Sequence, residues 1–254
     1  MCRLIAYVGP PITLQALVLD QPHSLVHQSY SPRHQRHGSV NADGFGCGWF
    51  DQEVRSAPAL YRRDKPIWGD SSFRSIAGLV RSKAVLAAVR DANTGAPVDE
   101  ASTPPFARDG WLFAHNGKLE GFDGIAGVRL WRKLSDRRAA EVRGTSDSEV
   151  IFAALLDRMD DGMTPAQAAR AVIEDCLEIS AGSFNLVLHD GWKITATCCG
   201  DSLFFLENGA SMPGGVVIAS EPFNDDAGWK PVPEPSLIEG YCGGVVVQPL
   251  DFAA

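Results

Sequence analysis

The 254-residue sequence has no apolar run near the roughly 18 residues that a bilayer-spanning helix requires. Its first segment, MCRLIAYVGPP, has a short apolar part broken by Pro10 and Pro11, which argues against a secretory signal. A soluble, cytoplasmic protein with no membrane partner is therefore expected. Positive charge is in deficit: 23 Lys and Arg stand against 31 Asp and Glu, a net charge of -8. A nucleic-acid partner would need a basic face to meet phosphate, so none is expected.

Cysteine is sparse and unpatterned. The six residues Cys2, Cys47, Cys176, Cys198, Cys199 and Cys242 form no C-x-x-C pair, and in a reducing compartment the five internal ones read as small buried hydrophobes. Cys198 and Cys199 would point to opposite faces of a strand, a poor arrangement for chelating one ion. His34 and His37 lack a suitably spaced Cys or Asp, and Arg33, Arg36 and Lys65 add repulsion. No metal and no cofactor is expected. The HQRH loop reads either as solvated or as a border of a substrate pocket. No internal repeat, low-complexity tract or G-x-G-x-x-G fingerprint occurs, and strands and helices do not alternate as in a doubly wound parallel sheet.

What is present suits one α+β domain over residues 2–254. A hydrophobic content of 45% over this length can fill a substantial core. Residues 4–8 read as a strand, and NADGFGCGWF as a glycine-rich turn running into another. Phe73, Ile76, Leu79 and Val80 have helical spacing over 71–82, with Ser71 or Ser72 as cap. Residues 84–89 form a strand ending at Arg90, and residues 111–114 one ending at His115. Ser146 followed by Glu149 predicts a helix start, and Thr164 caps the next helix. Beyond Ser183 the pattern is strand and turn, with Asp190-Gly191 as a turn and residues 222–235 as a proline-rich surface loop.

Cys2 is small enough for Met1 to be removed, which would leave a thiol and a free α-amine on one residue. An amine titrating near 7.7–8.0 can serve its own thiol as general base. A cysteine after the initiator says little alone. Asn116-Gly117 could supply an oxyanion hole or be a tight turn. Arg90 could grip a carboxylate with two parallel hydrogen bonds. Asp147 could receive an ammonium or complement a helix dipole.

Taken in order, MCRLIAYVG, NADGFGCGW, AVRDANTG, LFAHNG and GTSDSEVIF resemble the glutamine amidotransferase domains of class II, members of the N-terminal-nucleophile hydrolases. ASEPF at 219–223 extends the likeness across most of the chain. The resemblance implies a four-layer αββα sandwich, with Cys2 as nucleophile and its amine as base. It implies Asn116 and Gly117 as oxyanion hole, Arg90 on the α-carboxylate of a γ-glutamyl group and Asp147 on its α-amino group. Asn93 stands where relatives often carry a Thr that helps hold that carboxylate. Pro104-Pro105-Phe106 replaces the His-Pro-Phe of many relatives.

QSYSPRHQRHGSVNADGFGCGWF, WGDSSF and AAVRDANTG are similar to the standalone γ-glutamyl hydrolases of ergothioneine biosynthesis. Those enzymes release glutamate from γ-glutamyl-hercynylcysteine S-oxide, and the resemblance implies such a small-molecule γ-glutamyl substrate. Trp68, Asp70, Phe73 and Trp229 are expected contacts for the trimethylammonium portion of that molecule. Two alternatives stand beside this: a glutaminase subunit working with a separate synthase, and a catalytically inactive binding protein of the same fold.

Overall fold

Strand β1 (Arg3–Thr13) buries every side chain from Arg3 to Val8, so both of its faces must be covered. The alternation of a strand sends Leu4, Ala6 and Val8 one way and Ile5 and Tyr7 the other, and these two sets belong to different apolar clusters. The computed structural model, which describes residues 2–36, 38, 40–92 and 97–252, shows what covers each face.

After β1 come a π-helical turn (Gln15–Leu19), α1 (Leu25–Gln28), β2 (Phe45–Trp49) and β3 (Ala59–Arg63). A 3-10 turn (Ile67–Gly69), α2 (Ser71–Ala77), β4 (Arg81–Val89), β5 (Phe106–Arg108) and β6 (Trp111–Leu119) follow. The helices α3 (Ile125–Trp131), α4 (Asp136–Glu141), α5 (Asp147–Asp160) and α6 (Pro165–Ile179) come next. The chain closes with β7 (Gly182–His189), β8 (Lys193–Cys198), β9 (Phe204–Glu207), β10 (Val216–Ala219), β11 (Lys230–Pro231), β12 (Ser236–Tyr241) and β13 (Gly244–Pro249).

The strands form two antiparallel sheets, a seven-stranded one in the order β11-β9-β10-β1-β4-β2-β3 and a six-stranded one in the order β13-β12-β8-β7-β6-β5. Leu4, Ala6, Leu86 and Ala88 of the first sheet meet Leu112, Ala114, Val187 and Ile238 of the second in one cluster between them. The outer face of the first sheet packs Ile5, Val85 and Val217 against Leu17, Leu25 and Phe73. The outer face of the second packs Phe113, Leu186 and Leu188 against α3, α5 and α6. The result is an α+β fold of four layers, αββα. Among the described residues no helix is long and apolar enough to cross a membrane.

Local signals were sound where a cap was written in the sequence. The Ser146 hydroxyl accepts from the Glu149 N–H at the start of α5, and Thr164 and Gln167 form a reciprocal capping box on α6. Gly191, at φ +92°, turns β7 into β8.

Elsewhere the structure corrects the expectations. The helix expected over 71–82 stops at Ala77, because Gly78 caps it and β4 claims the chain from Arg81. Leu79, expected on its buried face, is 84% exposed. The cap is Asp70, whose carboxylate accepts from the Phe73 N–H at 2.7 Å, rather than Ser71 or Ser72. Within 222–235, Phe223 is fully buried and β11 pairs with β9, so this stretch is only partly surface loop. Cys47, Cys176 and Cys198 are buried, but Cys199 is half-buried and Cys242 exposed.

Candidate active site

Three sheet strands and one helix start converge on a cavity of about 600 Å³. Its wall includes Cys2, Arg90, Gly117 and Asp147. Each reaches the cavity from an element end or a strand interior that the fold holds still. Cys2 precedes β1, the central strand of its sheet, and its carbonyl accepts from Arg3 Nε at 2.8 Å. The Cys2 thiol is raised above its ordinary value, chiefly by burial. A hydrogen bond from the Asp91 backbone and the Arg90 guanidinium act in the opposite direction. At neutral pH this side chain therefore rests as the thiol.

Arg90 follows β4 directly. Its backbone is pinned to the turn before β2, since its N–H donates to the Gly44 carbonyl at 2.8 Å and its carbonyl accepts from Asp43 N–H at 3.0 Å. The side chain is nearly buried and spends one Nη1 hydrogen on the Pro97 carbonyl at 2.9 Å. Among the described residues its side chain has no other hydrogen-bond acceptor, and its remaining donors could meet an anion.

Asp147 opens α5, where the helix dipole favours a carboxylate. Its Oδ2 accepts from the Leu119 N–H at 2.9 Å and its Oδ1 from the Ser148 N–H at 2.7 Å, which ties the helix start to β6. Oδ1 also lies 3.2 Å from Ser148 Oγ, and Oδ2 has a second lone pair that could meet a cation.

The strand expected to end at His115 runs on to Leu119, so Asn116-Gly117 lies inside β6 and not at a tight turn. The reason is steric: Gly117 passes so close to β7 that a Cβ there would overlap the Ser183 carbonyl. Alternation then sends Gly117 to the cavity and the Asn116 side chain inward between the sheets. Asn116 is fully buried and does not line the cavity. Its Nδ2 donates to Asp201 Oδ2 at 2.8 Å, while its Oδ1 has no partner among the described residues. Asn93 lies outside the described residues.

The expected contacts for a trimethylammonium group are not in the cavity wall. Phe73 is fully buried core, Asp70 caps α2, Trp229 packs edge-on against Phe223, and Trp68 meets Tyr30. Arg33, His34, Gln35 and Arg36 also stand outside the wall. Their loop is held by the buried Glu221, whose Oε2 accepts from the Arg33 and His34 N–H groups at 2.7 and 2.8 Å; His37 lies outside the described residues.

Burial pushes the Glu221 carboxyl upward, but His23, those two N–H groups and the Arg3 charge outweigh it and leave the carboxyl below its ordinary value of 4.5. A carboxyl lowered on folding contributes stability that is complete above its unfolded-state value and is lost as pH falls through the folded one. Glu221→Gln should therefore flatten the acid side of a plot of melting temperature against pH. An unchanged slope below pH 4.5 would contradict this assignment.

Three wall residues escaped the sequence reading. His115 places Nδ1 3.1 Å from Ser148 Oγ and Nε2 2.9 Å from the Ser183 carbonyl. Because a carbonyl only accepts, Nε2 carries the hydrogen, and in the neutral ring Nδ1 accepts from Ser148. The buried Ser102 hydroxyl lines the cavity with no partner among the described residues. His115 and Ser148 lie within LFAHNG and GTSDSEVIF, but those segments give no separate sign of either side chain, and Ser102 lies in none of the family motifs.

A half-buried thiol at position 2, a cavity whose wall carries both basic and acidic side chains, and the αββα sandwich together define a class. The chain belongs to the class II glutamine amidotransferases, whose family model matches residues 12–208. It is 41% identical over 251 residues to the gamma-glutamyl-hercynylcysteine sulfoxide hydrolase of Mycolicibacterium smegmatis, a match covering 98% of this chain and 100% of that protein. With the Mycobacterium tuberculosis protein of the same name the identity is 38% over 257 residues, covering 100% of this chain and 98% of that one. A glutamine aminotransferase class-II domain protein from Silicibacter pomeroyi shares the fold at a TM-score of 0.69 and 22% identity, covering 98% and 100% of the two chains.

Proposed function

We propose that this protein hydrolyses the γ-glutamyl amide bond of γ-glutamyl-hercynylcysteine S-oxide, releasing glutamate, and that residues 2–254 act as a single domain once Met1 is removed. The observation that carries the reading is the gathering of Cys2, Arg90 and Asp147 on one cavity wall. An amino-acid end presents a carboxylate and an ammonium together, and only a site with both opposite charges holds it in one orientation. Full-length similarity to two hydrolases with this activity in their names supports the choice of substrate.

In this reading Arg90 takes the α-carboxylate and Asp147 the α-ammonium, which leaves the γ-carbonyl carbon facing Cys2. The free α-amine of Cys2 accepts the thiol proton as sulfur bonds to that carbon. The carbonyl oxygen becomes an oxyanion, stabilised by the Gly117 N–H and the Asn116 amide. When the tetrahedral adduct collapses, the C–N bond breaks and the departing nitrogen takes the proton from the Cys2 ammonium. A γ-glutamyl thioester remains. Water, deprotonated by the same amine, attacks the thioester, and glutamate and the thiol are released.

The test measures glutamate release on protein shown by mass spectrometry to begin at Cys2. Specificity for γ-glutamyl-hercynylcysteine S-oxide should exceed that for glutamine by about 100-fold in kcat/KM, since the larger leaving group offers the enzyme further contacts. Faster turnover of glutamine, raised by a separate synthase, would overturn this choice in favour of a glutaminase subunit.

A further inference from the structure

Asp201 lies far from every motif discussed so far, yet its carboxylate is where the two halves of the site meet. The residue is fully buried, in the turn between β8 and β9. Its Oδ2 accepts from Arg3 Nη2 at 2.5 Å and from Asn116 Nδ2 at 2.8 Å. Arg3 belongs to the first sheet and Asn116 to the second, so one oxygen atom ties the sheets together beside Cys2. Arg3 is itself fixed by the bond from its Nε to the Cys2 carbonyl.

We propose that Asp201 is a positioning residue for the reaction, aligning the Asn116 amide as an oxyanion donor while Arg3 pairs with it as countercharge. This rests on the reading of Asn116 given above.

The geometry supports it in three ways. An ionised carboxylate only accepts, so it forces the amide to present nitrogen, not oxygen, and settles which way round the side chain sits. One N–H is thereby used and the second is left to donate. The Oδ1 of Asn116, without a partner among the described residues, is what this forced orientation leaves behind. Second, Asp201 cannot drift. Its Oδ1 accepts from the Ser202 N–H at 2.7 Å, and its carbonyl accepts from Asn185 Nδ2 at 2.9 Å. Asn185 sits opposite Asn116 in the β6–β7 register and also accepts from the Cys199 N–H at 2.8 Å. Third, the buried guanidinium beside it makes the charge tolerable, since an unpaired carboxylate in this place would be strongly disfavoured.

The test is a double-mutant cycle on Asn116 and Asp201. It uses protein with Met1 shown to be absent and measures kcat and KM for γ-glutamyl-hercynylcysteine S-oxide. Loss of an oxyanion donor in Asn116→Ala should cost about 100-fold or more in kcat. Asp201→Ala should cost about 30- to 100-fold in kcat with KM within about threefold, the signature of a misaligned donor rather than weakened ground-state binding. The double variant should be no more than about threefold slower than Asn116→Ala alone. Asp201→Asn, of nearly the same volume, should lose about tenfold and carries the cycle if Asp201→Ala fails to fold.

A normal kcat in a folded Asp201 variant with a lowered melting temperature would make the ion pair purely structural and overturn the inference. Losses that multiply in the double variant would also overturn it. A normal kcat in Asn116→Ala would instead remove the oxyanion reading on which it stands.

Discussion

Cys2→Ala is expected to lower glutamate release by at least about 10⁵-fold, the scale seen when a catalytic nucleophile is deleted outright. The fold should barely register the change. Cys2 is only half-buried and precedes β1, and the contact it makes to Arg3 uses its backbone carbonyl, which alanine keeps. The melting temperature should therefore stay within about 2 °C of the parent, since a cost of a few tenths of a kcal/mol shifts a protein of this size by no more. Because burial holds the thiol above its ordinary value, the thiolate has to be generated when substrate arrives. In the proposed mechanism the adjacent amine is then as necessary as the sulfur. A form that retains Met1 should be as inactive as the alanine variant, with its thiol intact. A Cys2→Ala protein keeping more than about a hundredth of the activity would eliminate the thiol mechanism, since residual binding and oxyanion stabilisation alone give far less.

The second large effect is expected at Gly117. A methyl group there would overlap the Ser183 carbonyl and come 2.6 Å from His115 Nε2. Neither neighbour can yield. The Ser183 carbonyl is β7 backbone, and His115 is held at both ring nitrogens. Gly117→Ala must therefore displace β6 itself, at a cost of about 1–3 kcal/mol for overpacking. The displaced segment carries the proposed oxyanion N–H, so kcat should also fall by about 100- to 1000-fold. Thermal melting and steady-state kinetics on the same sample separate the two effects. A variant with parental melting temperature and kcat would show that β6 can accommodate a side chain there.

Capping explains why some of this was legible in sequence and some was not. Ser146 and Thr164 satisfy helix N–H groups three residues away, so the sequence window that contains them contains the reason. The expected caps Ser71 and Ser72 stand directly after Asp70, whose carboxylate accepts from the N–H of the buried Phe73, so the helix starts one residue earlier than a serine cap would place it. Asn116-Gly117 carries a strong turn signal, and only the approach of β7, more than sixty residues on, shows why glycine is needed in a straight strand.

The site divides along the same line. Cys2, Arg90 and Asp147 could be assigned because the family resemblance names their positions, and the structure brings them to one cavity. Asp201 could not. Its partners Arg3 and Asn116 lie 198 and 85 residues away, and a Gly-Asp-Ser turn looks like any other turn. Trp68 and Trp229 were attractive as cation contacts because aromatic rings can do that work. In the fold they pack against Tyr30 and Phe223 instead.

The place of β1 at the centre of its sheet has a consequence for timing. Ile5 pairs with Ala87 on one side and with Ala219 on the other. A growing chain can dock β4 early, but the opposite edge of β1 stays bare until β10 has left the ribosome. Such distant pairing is slow to form, and until then the strand that carries Cys2 is held from one side only. Asp201 and the loop-anchoring Glu221 also emerge late. Strand β1 is thus completed on its second side only by a strand more than two hundred residues further along the chain.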